Sequence, residues 1–205
     1  TLNNWLNAAT NRRGRYCLPA GTYKITDSLV WSSLDPAVDG SGFQIDGAGP
    51  EKTTIHYVPA AASWAIVLND TLVANTTLDH PVFRNLRIKW DSPAMGGVIA
   101  ADSVNYPIFE NVVFEGFALQ TGGTAVLLHG DGHCNCNGKF DTVEFIRTTV
   151  GVQYSGDANS NVIVNANCRQ TGICVDFRQI AANAMCGSNG RPYACCSNPG
   201  AGNSA

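Results

Sequence analysis

The sequence contains few charged residues, and its basic residues form no cluster. Charged side chains make up 14 % of the 205 residues, the net charge is -3, and the 13 Lys and Arg are spread along the chain. A nucleic-acid-binding surface needs clustered basic residues, so nucleic acid is excluded as an expected partner. No apolar run approaches the ~20 residues that cross a bilayer, and we therefore predict no membrane insertion. We also assign no cofactor and no resident metal.

Cysteine, by contrast, is abundant. The chain has eight, and five of them fall in its final part: Cys168, Cys174, Cys186, Cys195 and Cys196. An even number among Gly- and Asn-rich stretches favours disulfides formed in an oxidising compartment. Metal ligation and buried free thiols are the alternatives.

A repeat in the central part of the chain predicts the fold. The template F-x-[NT]-[LV]-x-[IF] begins at Phe83, Phe109 and Phe140, so its copies start 26 and 31 residues apart, as turns of a solenoid do. Apolar residues alternate within each copy, so that Leu86 and Ile88 point the same way. Shorter apolar segments between the copies supply further strands. The sequence therefore predicts an all-β fold, a right-handed, single-stranded parallel β-helix with stacked inward rows.

The same repeat position is occupied by Asn85 and by Asn111. Side-chain amides stacked on successive turns can hydrogen-bond to each other. We predict a structural asparagine ladder at a sharp corner of the coil.

The two ends of the chain differ from the central repeat. Leu2, Trp5, Leu6 and Ala9 follow the i, i+3, i+4, i+7 spacing of an amphipathic helix, which we expect to cap the open end of the solenoid. We divide the chain into a capping helix at 1–15, a parallel β-helix domain at 16–180 and a Cys-, Gly- and Asn-rich terminal segment at 181–205. We expect that segment to continue into a region beyond the given sequence.

Three segments carry a resemblance to a known family: Leu18-Pro19-Ala20-Gly21-Thr22-Tyr23, Ile45-Asp46-Gly47-Ala48-Gly49 and Thr54-Ile55. They resemble the opening of the pectate-lyase-like β-helix superfamily, especially bacteriophage tailspike and tail-fibre proteins. The resemblance implies polysaccharide as the ligand or substrate, a homotrimer, and a location outside the cell or on the virion surface. Its motifs mark turns and core positions, so no catalytic residue carries over.

The outward acidic residues of the repeat are candidates for glycoside hydrolysis. Glu110 and Asp141 occupy the same template position in successive copies, which predicts two outward carboxylates one turn apart. Hydrolysis uses carboxylate pairs ~5 to 5.5 Å or ~6.5 to 9.5 Å apart. The alternative is that these acids only solvate the strand face.

A Gly-rich turn concentrates reactive residues after one strand. It contains His129, Asp131, His133, Cys134 and Cys136. A histidine there could act as a general acid or base, with Asp131 orienting it or acting separately. The alternatives are a metal site, although the spacing matches no zinc pattern, and a turn held by disulfides with exposed histidines.

Aromatic residues near the predicted loops are candidates for sugar binding, because sugar rings stack on flat aromatic faces. We assign this role to Trp90, Tyr106 and Trp64. The alternative for Trp90 is an aromatic side chain that only shields the rod.

These observations lead to a functional hypothesis with alternatives. We expect an extracellular, polysaccharide-recognising β-helix, a phage tailspike or receptor-binding component with glycan lyase or hydrolase activity as a further option. The alternative is a non-catalytic structural module such as a virion decoration protein or an adhesin. A secreted glycosidase or lyase acting as a monomer is a third hypothesis.

Overall fold

A computed structural model describes residues 14–31, 43–68, 78–101, 104–130, 135–156, 158 and 160–178. The predicted capping helix, apart from its last two residues, and the terminal segment lie outside these residues. The described residues contain strands and no helix. The strands are β1 (Gly14–Leu18), β2 (Gly21–Ile25), β3 (Leu29–Trp31), β4 (Phe43–Gly47), β5 (Thr53–Tyr57), β6 (Trp64–Leu68), β7 (Leu78–Asp79), β8 (Val82–Trp90), β9 (Gly96–Ala100), β10 (Val104–Asn105), β11 (Ile108–Glu115), β12 (Thr124–Gly130), β13 (Lys139–Ile146), β14 (Val150–Gly156), β15 (Val162–Arg169) and β16 (Ile173–Arg178).

The strands form two long sheets and one short one, and all their pairings are parallel. The first sheet follows the order β1-β4-β8-β11-β13-β15, with β2 and β5 alongside, and the second follows β3-β6-β9-β12-β14-β16. The pair β7 and β10 makes the short third sheet. Strands adjacent in each sheet come from successive turns of the chain, so the predicted parallel β-solenoid is confirmed.

Aromatic and aliphatic rows fill the space between the sheets. Phe83, Phe109 and Phe140 pair in register and are fully buried. Their rings stack with centroids 5.3 and 5.0 Å apart. Each buried aromatic side chain removes a large apolar surface from water, and this is the main favourable term in folding. The predicted inward rows are confirmed.

The predicted asparagine ladder is also present. Asn111 donates from Nδ2 to Oδ1 of Asn85 at 2.9 Å, and Asn85 donates to Oδ1 of Asp46 at 2.9 Å. Asn85 and Asn111 have φ angles of 54° and 53°, in the left-handed region that Asn tolerates better than most residues. Thr142 and Asn165 follow in the same column with φ of 53° and 55°. The first sheet therefore bends at this corner on each turn.

Small residues of the second sheet face the large rings of the first. A Cβ on Gly151 would lie 2.4 Å from the carbonyl oxygen of Cys174 and 2.9 Å from the ring of Phe145, so only glycine fits there. One turn later, the register places Cys168 beside Phe145 and Cys174 beside Gly151. These two cysteines form a disulfide, which joins the two sheets across the core.

Three of the four cysteines among the described residues are disulfide-bonded, as the disulfide interpretation predicted. Besides the pair that joins the sheets, Cys136 is disulfide-bonded. Cys17 is an exposed free thiol, which the disulfide interpretation did not anticipate. The other cysteines lie outside the described residues.

Candidate functional site

Trp90 is not available to a ligand, and its assignment as a sugar platform is corrected. The side chain is fully buried, and its Nε1 donates to the carbonyl oxygen of Gly122 at 2.5 Å. The inward alternation of Leu86 and Ile88 continues to Trp90 because β8 extends through this residue. The same two-residue period that predicted the core rows therefore places this ring in the core.

The other two aromatic candidates retain some exposure. Trp64 begins β6 and is half-buried, and a Cβ on Gly96 would lie 2.5 Å from its ring, so the ring packs along the neighbouring turn. Tyr106 is 43 % exposed, and its ring stacks on that of His80 with a centroid distance of 4.5 Å. His80 covers one face of Tyr106, and the remaining surface of the tyrosine is open to solvent.

His80 belongs to this surface although sequence reasoning did not select it. The segment that precedes the template contains His80-Pro81 in one copy and Tyr106-Pro107 in the next, 26 residues later. Both residues have positive φ, 53° and 52°, a conformation that is uncommon for non-glycine residues. Extending the repeat upstream by three residues would have revealed the pair.

The two candidate carboxylates lie side by side, but each forms an ion pair with a basic side chain. Glu110 and Asp141 pair in register on adjacent turns. Arg84 Nε lies 2.8 Å from a carboxylate oxygen of Glu110, and Lys139 Nζ lies 2.8 Å from one of Asp141. The hydrogen bond from Lys139, with a smaller contribution from Thr142, lowers the pKa of Asp141. Asp141 is thus held as a carboxylate, which accepts hydrogen bonds and suits a base better than an acid.

Of the reactive residues in the Gly-rich turn, the structure describes His129 and the disulfide-bonded Cys136. His129 lies near the end of β12, and its Nδ1 is 2.8 Å from Oγ of Ser155 on the next turn. Asp131 and His133 lie outside the described residues. Within the part of the chain that the structure describes, no three His, Cys, Asp or Glu side chains come together as a metal site.

The outer face of the first sheet collects the charged residues that the sequence scatters. Of the ten Lys and Arg among the described residues, nine lie in strands of this sheet or in the turns directly beside them. They are Arg15, Lys24, Lys52, Arg84, Arg87, Lys89, Lys139, Arg147 and Arg169. We call this surface the charged face. Sequence reasoning missed it because these residues approach each other only when the turns stack.

Ion pairs connect most of the charged face. Arg87 and Arg147 both contact Glu115, whose side chain is almost buried. Arg15 contacts Asp46. Burial raises the pKa of Asp46, but the hydrogen bond from Asn85 and the ion pair with Arg15 outweigh it, so the pKa lies below its ordinary value. Partly buried pairs of this kind resist screening by salt more than fully exposed ones do.

The second sheet presents a different outer surface. Its strands carry charged side chains only at Asp176 and Arg178. One outward column stacks aliphatic side chains on four successive turns, each partly exposed: Val30, Val67, Ile99 and Leu127. We call these four residues the aliphatic column.

Comparison with known proteins assigns the chain to no family. No family model matches it, and no curated protein does. A solved structure described as Geobacillus virus E2 ORF18 is similar to it over 86 % of this chain and 57 % of that chain, with 11 % identity and a TM-score of 0.34. The chain thus spans little more than half the length of that protein. No helix among the described residues has the length and apolar character that crossing a membrane requires.

Proposed function

We propose that this protein is a polysaccharide-binding β-solenoid that acts outside the cell or on a virion surface. The observation that carries the proposal is the charged face, where nine of the ten described Lys and Arg meet most of the described acidic residues. Such a surface offers donors and acceptors along the rod at intervals of ~4.8 Å. The disulfide between Cys168 and Cys174 is compatible with an oxidising compartment.

The chemistry of this surface suits carbohydrate. Sugar hydroxyls donate and accept hydrogen bonds, and they are recognised by a few well-placed polar groups beside apolar or aromatic ones. Arg84 and Glu110 each lie four residues after one of the stacked rings of His80 and Tyr106, and the Lys139–Asp141 pair lies on the next turn. An extended glycan lying on several turns would meet ionic groups on the sheet and the edges of these rings.

Binding to a panel of bacterial and plant polysaccharides tests the proposal. We expect Glu110→Ala to weaken binding about three- to tenfold, because it removes an acceptor and leaves Arg84 without its partner. Gln153→Ala, on the outer face of the second sheet, is the matched control and should leave affinity unchanged. Equal affinities for both variants would contradict this assignment of the binding surface.

Depolymerase activity is a further part of the proposal. Its candidate catalytic residues are His129 near the end of β12, Asp131 and His133 in the Gly-rich sequence that follows it, and Glu110 with Asp141 on the charged face. Release of reducing ends indicates hydrolysis, and release of unsaturated uronic products indicates a lyase. Cleavage that is lost in Asp131→Ala or His133→Ala assigns the chemistry to the turn. Cleavage that survives both but is lost in Asp141→Asn assigns it to the charged face.

A structural role in an assembly is the second candidate function. The aliphatic column favours it, since aligned apolar side chains on a face with almost no charge can pack against another subunit. We propose a homotrimer built through this face. Sedimentation of the protein and of Ile99→Lys tests it: a trimer that dissociates in the variant supports the role, and a monomeric parent protein contradicts it.

A further inference from the structure

One outward column of the charged face carries positive or titratable groups on three successive turns. Lys24 pairs in register with His56, and His56 pairs with Lys89. Residues in register on neighbouring parallel strands are ~4.8 Å apart. Lys24 is exposed, and the side chains of His56 and Lys89 are 23 % and 35 % exposed. We call Lys24, His56 and Lys89 the basic column.

The basic column is an exception on this face. Elsewhere, neighbouring turns place opposite charges together, as in Arg84 with Glu110. Among the described residues Lys24 has no ion-pair partner, and the nearest carboxylate oxygen to Lys89 Nζ, on Glu115, is 4.0 Å away. Glu115 is already shared by two arginines. The charge of the lysines is therefore poorly compensated within the protein.

The two lysines are two turns apart, about 9.6 Å along the rod, and His56 lies between them. Within the described residues, the acidic groups beside this column are Asp91, 3.1 Å from His56 Nε2, and Glu115, 4.0 Å from Lys89 Nζ. An external anion between the lysine side chains would gain charge-assisted hydrogen bonds from both. The side chains are long enough to converge on an anion in front of the sheet.

We infer that the basic column binds acidic groups of a polysaccharide, so that the ligand of the charged face is an anionic glycan. This inference rests on the proposed function and specifies its ligand class. Because the column runs along the rod axis, it suits a chain that lies along the rod with acidic groups facing the sheet. The Glu115 cluster on the next turn limits the column to three positions.

Dextran, carboxymethyl dextran and dextran sulfate form a matched set of probes that share one backbone and differ in charge. We expect carboxymethyl dextran to bind more tightly than dextran at low salt. The double variant Lys24→Gln/Lys89→Gln should weaken that binding about tenfold, roughly threefold for each lysine. The dextran sulfate arm shows whether carboxylates or sulfates are preferred.

The matched control is Arg15→Gln/Arg169→Gln, which removes two charges from the same face. Both residues are ion-paired, with Asp46 and Glu144, so we expect a change of less than about threefold. Equal losses in the two double variants would overturn the inference, because binding would then follow net charge alone. Binding of a neutral glycan with no preference for the charged dextrans overturns the inference and leaves the proposed function standing. If no glycan of the panel and no dextran binds, both are overturned.

Discussion

Replacing Trp90 separates a core role from a ligand-binding role more sharply than any other change. The side chain is fully buried, its ring lies close to Gly97 of the second sheet, and its indole N–H donates to Gly122. Trp90→Ala removes this volume from a packed interior, for which large-to-small changes of Trp cost about 3–5 kcal/mol. Trp90→Phe retains most of the volume but leaves the Gly122 carbonyl without its donor, a cost of about 1–3 kcal/mol.

Urea unfolding followed by circular dichroism measures both free energies, and glycan affinity is measured on the same preparations. We expect stability to fall in the order wild type, Trp90→Phe, Trp90→Ala. Glycan affinity should stay unchanged in Trp90→Phe under conditions where it remains folded. Because each turn of a solenoid contacts only its neighbours, the loss is expected to concentrate in the central turns. Hydrogen exchange would show this as faster exchange in β8 and β11.

Two results would refute this reasoning. A cost below about 1 kcal/mol for Trp90→Ala would mean that the ring is not part of a tightly packed core. Loss of glycan binding in Trp90→Phe without any loss of stability would mean that the indole reaches the ligand. Tyr106→Ala serves as the exposed control: its side chain is 43 % exposed, so we expect a stability change within about 1 kcal/mol.

The remaining predictions concern the corner ladder, acid sensitivity and the disulfide. Asn111→Ala should cost about 1–2 kcal/mol in urea unfolding, since it removes a ladder hydrogen bond at a residue with positive φ; an unchanged midpoint would contradict the ladder's role. The lowered pKa of Asp46 contributes stability above the ordinary carboxyl pKa, about 4, that is lost as the pH falls through the lower folded value. Arg15→Gln should therefore reduce the loss between roughly pH 5 and pH 2, and an identical pH dependence would count against the ion pair. Reduction of Cys168–Cys174 should increase hydrogen exchange in β15 and β16 more than in β8, which mass spectrometry can compare.

The core rows and the corner ladder could be predicted because they depend on local spacing. Phe83, Phe109 and Phe140 stack as the template indicated, since alternation along a strand and one repeat per turn place them in one column. The same alternation along β8 places Trp90 in the core. Trp90 was assigned wrongly because the alternation was not followed to the end of this strand. His80 was missed because the template was begun three residues too late.

The charge contacts could not be predicted, since they depend on how turns of unequal length come into register. Glu115 contacts Arg87, 28 residues before it, and Arg147, 32 residues after it. The two spacings differ, so no fixed period in the sequence would have revealed both contacts. A change of one residue in a loop would have brought different side chains together. In the sequence, these charged residues are scattered along the chain.

The sequence by itself determined the solenoid, because its repeat gives each turn an apolar row that is buried when the next turn stacks on it. The tertiary structure alone decided which charged and apolar side chains share a surface. Stacking gathered the Lys and Arg of distant segments onto one sheet, left an aliphatic column on the other, and placed Lys24, His56 and Lys89 in one line. Electrostatic interaction depends on the distance between charges in space, and these side chains come close to each other only when the turns stack.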